Sequence, residues 1–226
     1  MPTNMVDNKR KIEGVIFDMD GLLVDSEPVW DRARAALAAQ YGKPWTTKDH
    51  HNVMGVSTAE WTTYMIEHFG ATMPPKEMQK LVIDQMVSMY NEKIPFFPGA
   101  VELVQSVAAK YPTGLASGSP RQLIDIVTGY SGFDGCFQVI LSADEIGKGK
   151  PAPDVYLATA ERMGIDPKKC ACLEDSGFGI LSGKAAGMMV IAVPDERFPP
   201  ADELVAQADI VLGSLAEFSL SLLEIA

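Results

Sequence analysis

Two aspartates stand one residue apart in the segment GVIFDMDGLLVDSE, residues 14–27. The segment begins as an apolar strand, and side chains two positions apart on a strand share a face. The carboxylates of Asp18 and Asp20 are therefore about 6.6 Å apart along it, and at an effective dielectric constant of about 20 they repel each other by roughly 2.5 kcal/mol. A bound hard divalent cation would relieve that repulsion, because it prefers oxygen ligands.

A turn and a calcium loop are two further structures in which this motif could occur. Asp and Gly favour turns, so Asp18 to Gly21 also has the composition of an ordinary turn. A calcium loop begins D-x-D as well, but it requires a preceding helix and Gly at its sixth position, whereas Gly21 is fourth and follows a strand. The tetrapeptide alone leaves a turn and a chemical site open, and it excludes the calcium loop.

The segment TGLASGSP, residues 113–120, could bind a phosphate. Ser119 and Pro120 suit the N-cap and N1 positions of a following helix. Ser117 and Gly118 then lie just ahead of free helix N–H groups, an arrangement that binds phosphate; an ordinary cap is the simpler alternative. Ser117 is one place too late for the G-x-S-x-G motif, so a serine nucleophile is disfavoured.

The segments GKGKPAPD (147–154) and CACLEDSGFGI (170–180) carry a lysine and two acids. A nucleotide P-loop would need Ser or Thr directly after Lys150, where proline stands, so Lys150 is either a solvated loop residue or a fixed cation aimed at an anion. Glu174 and Asp175 follow an apolar strand at the start of a helix, where acids are also stabilised by the helix dipole alone.

After residue 98 the apolar pattern alternates between strands and amphipathic helices. Predicted strands are TGLAS, FQVILS, CACLED and MMVIAV, with helices between them. This alternation, together with the strand at residues 14–18, predicts an α/β fold, a Rossmann-like three-layer core with a parallel sheet. Ligands bind beyond the carboxyl ends of such strands, so the four candidate regions are expected to meet there, around Mg²⁺.

Residues 28–97 show only helical periodicity, which predicts an all-helical cap domain inserted into a core domain of residues 1–27 and 98–226. Its predicted helices are VWDRARAALAAQYG, TAEWTTYMIEHFG and PKEMQKLVIDQMVSMYNEK. Hinges are expected near residues 25–28 and 95–98.

The charge and apolar content of the sequence argue against some classes of binding partner. The formal charge of −11 repels nucleic acid and anionic membranes, and no apolar run reaches membrane-spanning length. The three cysteines lack zinc spacing, and the first ten residues show no signal peptide. We expect a cytoplasmic monomer acting on a small metabolite, without a nucleic-acid or membrane partner.

These motifs resemble the haloacid dehalogenase (HAD) superfamily, over nearly the whole chain. The family's D-x-D-G is Asp18 to Gly21, its Ser or Thr after the next strand is Ser117, its Lys before Pro is Lys150, and its acidic pair is Glu174 and Asp175. The resemblance implies a Mg²⁺-dependent phosphatase in which Asp18 forms an aspartyl-phosphate. Haloacid dehalogenases themselves lack the second aspartate.

The resemblance also implies roles for the site residues. Asp20 would serve as general acid and then base, while Ser117, Gly118 and Lys150 would hold the phosphoryl oxygens. The metal would bridge Asp18, the backbone carbonyl of Asp20 and the acidic pair, with Glu174 acting directly or through water. The peptide bond between Lys150 and Pro151 is often cis in this family.

Within the superfamily, the stretches DMDGLLVDS, GVS, LAS, KPAPD and LEDS resemble the β-phosphoglucomutase branch. Trp30 and Thr58 replace a histidine and an arginine that handle the sugar phosphate in that branch. Loss of a cation that would hold the second phosphate disfavours a mutase. Phosphoryl transfer between sugar positions is therefore the alternative function, and hydrolysis is the main prediction. FDMDGLLVDSE, GLASGSP and VIAVPD resemble sugar-phosphate and pseudouridine-5′-phosphate phosphatases. Candidate substrate-binding residues in the cap are Trp30, Gly55, Val56 and Ser57, with Trp61 more consistent with the cap core.

Overall fold

A six-stranded parallel sheet forms the centre of the protein, and the computed structural model describes residues 11–53 and 58–224. The strands are β1 (Gly14–Phe17), β2 (Thr113–Ser117), β3 (Val139–Ser142), β4 (Cys170–Glu174), β5 (Met189–Ala192) and β6 (Ile210–Val211). Their order in the sheet is β3-β2-β1-β4-β5-β6, and each neighbouring pair is parallel. The sheet therefore presents the ends of β2, β1 and β4 side by side at one edge.

Helices lie between the strands of this sheet in the sequence. They are α1 (Glu27–Gln40), α2 (Thr47–Val53), α3 (Thr58–Phe69), α4 (Pro75–Glu92), α5 (Ala100–Ala108), α6 (Arg121–Thr128), α7 (Asp154–Met163), α8 (Gly177–Ala185) and α9 (Asp202–Val205). The described part of the chain contains no helix long and apolar enough to cross a membrane.

The three layers follow from alternation along the buried strands. Phe17 on β1 packs in one apolar cluster with residues of α5 and α6, such as Val104 and Leu123. Its neighbour Ile16 points to the opposite face and packs in a second cluster with residues of α7 and α8, such as Tyr156. A strand covered on both faces reads as a continuous apolar run, as β1 does.

Helices α1 to α4 lie between β1 and α5 in the sequence and pack on one another, with α4 contacting both α1 and α3. Helix α4 also contacts α6 of the sheet region. The two chain connections to these helices run side by side, because the Asp25 amide donates to the Pro95 carbonyl at 2.8 Å and the Phe97 amide to the Leu23 carbonyl at 3.0 Å. Arg197 joins this junction through two hydrogen bonds to Asp25, at 2.8 and 3.1 Å.

The sequence predictions for the sheet are confirmed, with ends that differ by one or two residues. Among the α-helices and strands of the described residues, three were missed: α2, β6 and α9. Strand β6 has only two residues and is half exposed, and the single turn of α9 buries none of its residues, so neither leaves an apolar period long enough to detect. Ser119 is not the N-cap of the next helix, since α6 begins at Arg121 with Pro120 before it.

Candidate active site

The Lys150 ammonium donates hydrogen bonds to groups at the ends of three strands. It donates to Asp18 Oδ1 and to Glu174 Oε1, both at 2.5 Å, and to the Ala116 carbonyl at 3.1 Å. The peptide bond between Lys150 and Pro151 is cis. The three groups come from the ends of β1, β4 and β2, so the lysine predicted as a fixed cation lies where these strands meet.

Glu174 is fully buried, and the groups around it occupy its carboxylate. Besides Lys150, the Tyr156 hydroxyl donates to Oε1 at 2.6 Å and the Ser176 hydroxyl to Oε2 at 3.3 Å. A buried carboxylate needs such donors to compensate for its lost hydration. Glu174 therefore holds Lys150 in place, whatever else it binds. Tyr156 was missed in the sequence, where its helical spacing indicates only core packing.

Gly21 allows Asp175 to approach the first strand. A Cβ atom built on Gly21 would lie 2.0 Å from Asp175 Oδ2, and Gly21 has φ +79°. A side chain at this position would meet both a carboxylate and an unfavourable backbone conformation. The glycine of the D-x-D-G motif thus allows Asp175 to lie next to the segment that carries Asp18 and Asp20.

Replacing Gly21 by Ala is expected to lower the free energy of unfolding by about 2–4 kcal/mol and to displace Asp175. Gly42→Ala is the matched control, because Gly42 has a similar φ of +64° with no atom within 4 Å of the added Cβ. Urea denaturation would compare the two variants. Equal losses of stability would mean that backbone conformation alone, and not contact with Asp175, makes Gly21 necessary.

Ser117 links the second strand to the aspartate pair. Its hydroxyl donates to Asp20 Oδ2 at 3.0 Å and accepts from the Ser119 amide at 2.9 Å. The other carboxylate oxygen of Asp20 is buried, and no described residue provides a hydrogen-bond partner for it. Asp20 is thus oriented through one oxygen, which leaves the other for a ligand or water.

Burial makes the acids of the site costly in their ionised form. Removal from water, together with Glu174 and Asp20, raises the pKa of Asp18 to about 8, although the Lys150 ammonium opposes the shift. Burial, followed by the nearby charges of Asp18 and Glu174, also raises the pKa of Asp175 well above its usual range. One ammonium does not balance these carboxylates, so the site has unmet demand for positive charge.

Three carboxylates could hold a metal ion together. Ligand oxygens of Asp18, Glu174 and Asp175 lie within 4.8 Å of one another. Oδ1 of Asp175 is buried and is not hydrogen-bonded by any described residue. This set of hard oxygen donors fits Mg²⁺ or a similar cation. The group contains side-chain oxygens only, so the predicted role of Asp20, which is to bind the metal through its backbone carbonyl, stays a prediction.

A cavity of about 330 Å³ opens onto these groups. Among the predicted residues, Asp18, Asp20, Gly118, Lys150 and Asp175 line its sheet side, and Trp30 and Trp61 line its helical side. A larger open groove of about 750 Å³ beside α4 contains none of the strand-end groups at β1, β2 and β4. We therefore assign the site by its chemistry and not by cavity size.

The cap residues predicted to bind substrate have different outcomes. Trp30 faces the cavity, whereas Gly55, Val56 and Ser57 lie outside the described residues. Trp61 combines two properties, because it is buried as predicted and also lines the cavity.

Glu27 and Arg34 also line the cavity, and the sequence interpretation missed them. With Trp30 they occupy positions i, i+3 and i+7 of α1, which share one face of a helix. The sequence signal that could have identified Glu27 and Arg34 is their charge at this helical spacing, shortly after the D-x-D-G motif.

Comparison with known proteins agrees with this geometry. The sequence profile of the haloacid dehalogenase-like hydrolases matches residues 12–187. Hexitol phosphatase B of Escherichia coli is 34% identical over 217 residues, which cover 93% of this chain and 96% of that protein. The bifunctional riboflavin kinase/FMN phosphatase of Arabidopsis thaliana is 34% identical over 91% of this chain, and the chain spans 54% of that longer relative.

A solved structure shows the same fold. The crystal structure of β-phosphoglucomutase from Clostridium difficile superposes with a TM-score of 0.76 at 25% identity, covering 94% of this chain and 96% of that one. The fold, the profile match over most of the chain and the curated relatives all agree. The chain belongs to the haloacid dehalogenase-like hydrolases.

Proposed function

We propose that this protein is a Mg²⁺-dependent phosphatase that hydrolyses small phosphate monoesters, with sugar phosphates or related metabolites as substrates, through an aspartyl-phosphate. The observation that carries the proposal is the position of Asp18. Its carboxylate lies at the end of the central strand, hydrogen-bonded to Lys150, whose side chain is 11% exposed, and facing a cavity of about 330 Å³. Relatives named as phosphatases of hexitol phosphates and of FMN support the reaction class.

In the proposed reaction, one carboxylate oxygen of Asp18 forms a bond to phosphorus while the ester oxygen leaves. Asp20, held by Ser117, donates a proton to that oxygen and later accepts one from the water that hydrolyses the aspartyl-phosphate. The Ser117 hydroxyl, the Gly118 amide and the Lys150 ammonium would stabilise the phosphoryl oxygens in the transition state.

The carboxylates of Asp18 and Asp175, with the Asp20 carbonyl, would hold the metal, and Glu174 would assist them. Once bound, the ion would neutralise charge on the phosphoryl oxygens and on the acids. Glu174 already accepts hydrogen bonds from Lys150, Tyr156 and Ser176, which favours an indirect contribution through these donors.

Adding Mg²⁺ to the chelated protein is expected to raise its melting temperature, because the ion binds the folded site and offsets the repulsion between buried acids. At a hundredfold excess over Kd the gain is about 2.7 kcal/mol. Asp175→Asn should lose most of this gain, whereas Asp84→Asn, on the exposed face of α4, should retain it. Differential scanning fluorimetry measures both, and an equal response in the two variants would contradict this metal site.

We propose that residues 28–97 act as a cap that closes over substrate, hinged near residues 25–28 and 95–98. The paired backbone hydrogen bonds between Asp25 and Pro95 and between Leu23 and Phe97 support this division, since two adjacent connections can bend together. Closure would exclude water while the leaving group departs. Crystals with and without a phosphate analogue would reveal the motion, and identical domain orientations would count against it.

Phosphate release over a panel of sugar phosphates, nucleoside monophosphates and p-nitrophenyl phosphate tests the activity. Release that depends on Mg²⁺ supports a phosphatase. Transfer between the 1- and 6-positions of a sugar, stimulated by a bisphosphate, would instead support a mutase. A monomeric state and a cytoplasmic location stay predictions.

A further inference from the structure

Arg34 has no role in the proposed chemistry, yet it lies in the same cavity. It is 5% exposed, and its Nε and Nη1 atoms are buried without a hydrogen-bond partner in the described chain. Buried guanidinium donors are rarely left unpaired, because their lost hydration is costly. An unpaired buried donor facing a substrate cavity points to a ligand that supplies the acceptor.

Two tryptophans from different helices of the cavity wall contact the guanidinium of Arg34. The Cζ atom of Arg34 lies 5.2 Å from the ring centre of Trp30 on α1 and 5.7 Å from that of Trp61 on α3. Such cation–π contacts fix a planar guanidinium without using its N–H donors. The side chain is therefore preorganised, and its donors stay available.

Glu27 provides an acceptor next to these donors. Its Oε1 lies 3.8 Å from Arg34 Nη1, close enough for electrostatic attraction but too long for a hydrogen bond. His50 Nε2 is 3.5 Å from the same oxygen, and no described residue hydrogen-bonds to that oxygen either. The wall thus presents an unused donor group and an unused acceptor group side by side, flanked by aromatic faces.

The charge of this wall is balanced. Glu27 and Arg34 are its only charged lining residues among those described, alongside Trp30, Val53, Thr58, Trp61 and Gln79. The sequence at 54–57, MGVS, contains no charged residue. A second anionic group on the substrate would gain attraction to Arg34 but meet the carboxylate of Glu27 at nearly the same place. Hydroxyl groups, which both donate and accept, match both partners.

We propose that Arg34 and Glu27 form a specificity subsite for the leaving group, which is an uncharged polyhydroxylated chain or ring. Arg34 donates to one hydroxyl oxygen, Glu27 accepts from a neighbouring hydroxyl, and the C–H surface of the leaving group packs on Trp30 and Trp61. The inference rests on the proposed phosphatase function and narrows its substrate class. It also distinguishes this site from one built for a bisphosphate or a phosphorylated carboxylic acid.

Three phosphate esters test the subsite. Sorbitol 6-phosphate carries an uncharged polyol, hexyl phosphate has the same chain length without hydroxyls, and phosphoglycolate carries a carboxylate. The wild-type protein should prefer sorbitol 6-phosphate over both in kcat/KM. Arg34→Met should lower kcat/KM for sorbitol 6-phosphate about tenfold to a hundredfold, as expected for hydrogen bonds to a charged group, and change that for hexyl phosphate less than threefold.

Arg32→Met is the matched control, because Arg32 is an exposed arginine on the same helix outside this cavity. It should leave the preference unchanged. Melting temperature and turnover of p-nitrophenyl phosphate show whether Arg34→Met is folded, and Glu27→Gln supplies a second variant that should also lose preference for the polyol.

Each result has a distinct meaning. Equal losses for sorbitol 6-phosphate and hexyl phosphate in both variants would make the pair structural and overturn the subsite. A wild-type preference for phosphoglycolate would overturn the uncharged leaving group. Absence of phosphate release from every ester, including p-nitrophenyl phosphate, would refute the phosphatase itself and the subsite with it, whereas release that ignores hydroxyls would refute only the subsite.

Discussion

Asp18→Asn is expected to lower kcat for phosphate release by about ten thousandfold or more while the protein stays folded. An amide cannot serve as the attacking oxygen, so the aspartyl-phosphate does not form. The shape of the side chain is retained, and the amide oxygen of the variant can still accept from Lys150. Turnover of p-nitrophenyl phosphate with saturating Mg²⁺ measures the effect, and wild-type turnover in the variant would refute the nucleophile.

The stability of the same variant has its own pH dependence. Burial raises the pKa of Asp18 to about 8 in the metal-free protein, from an ordinary value of 3.8 in the unfolded chain. The folded state therefore retains a proton that the unfolded state releases, and the contribution of Asp18 to stability falls as pH rises from about 4 to about 8. Asn has no such titration.

In chelator, the melting temperature of Asp18→Asn relative to the wild type should consequently rise between pH 5 and pH 8. Mg²⁺ should reduce the difference at high pH, since the ion stabilises the ionised wild-type carboxylate. Asp154→Asn is a suitable control, because Asp154, the first residue of α7, is not among the buried acids and is not part of the metal-binding group. A constant difference between variant and wild type across this pH range would show that Asp18 is not costly to ionise.

The location of these groups could be predicted because parallel topology decides it. Each predicted strand that carries a site residue ended in a polar side chain, and the carboxyl ends of parallel strands meet at one edge of a sheet. Asp18, Ser117 and Glu174 therefore had to approach one another once the alternation of strands and helices was recognised. Lys150 lies in a loop and does not end a predicted strand, so its place at this edge followed less directly, from its grouping with the other three regions and from its resemblance to a family motif.

The supporting residues could not be predicted in the same way. Tyr156 on α7 donates to Glu174 through packing of a helix on the sheet, and an apolar period reports only that its ring is buried. Arg34 has the helical spacing of the buried face of α1, but its charge gives no indication of burial, and Trp61 contacts it from another helix. Such contacts depend on tertiary packing between segments that the sequence pattern does not relate.

Lys150→Met is expected to have the second large effect, on both activity and stability. The variant removes a cation that donates to Asp18 and Glu174 at 2.5 Å, and Glu174 is fully buried. Removing one partner of a buried ion pair leaves an uncompensated charge and costs about 3–5 kcal/mol of unfolding free energy. Loss of a donor to the transferred phosphoryl group should lower kcat/KM by a further factor of about a thousand.

A double variant separates these two roles of Lys150. Glu174→Gln removes the buried charge that Lys150→Met leaves behind, while the new amide oxygen still accepts from Tyr156. The double variant should therefore recover much of the lost stability, by the logic that replacing both partners is milder than removing one. It should remain inactive, because neither new side chain supplies positive charge to the phosphoryl oxygens. Lys148→Met, at an exposed site two residues away, should affect neither property.

Denaturant unfolding and p-nitrophenyl phosphate turnover are measured for the wild type, Lys150→Met, the double variant and Lys148→Met. Together they decide between two roles of Lys150. If the double variant recovers stability without turnover, Lys150 acts on the substrate, and Glu174 is the residue that holds it there. If turnover returns with stability, the lysine serves only to neutralise Glu174, and the phosphoryl oxygens must be held by the metal and the Ser117–Gly118 segment instead. We expect the first result, because Lys150 donates to Asp18, the proposed nucleophile, as well as to Glu174.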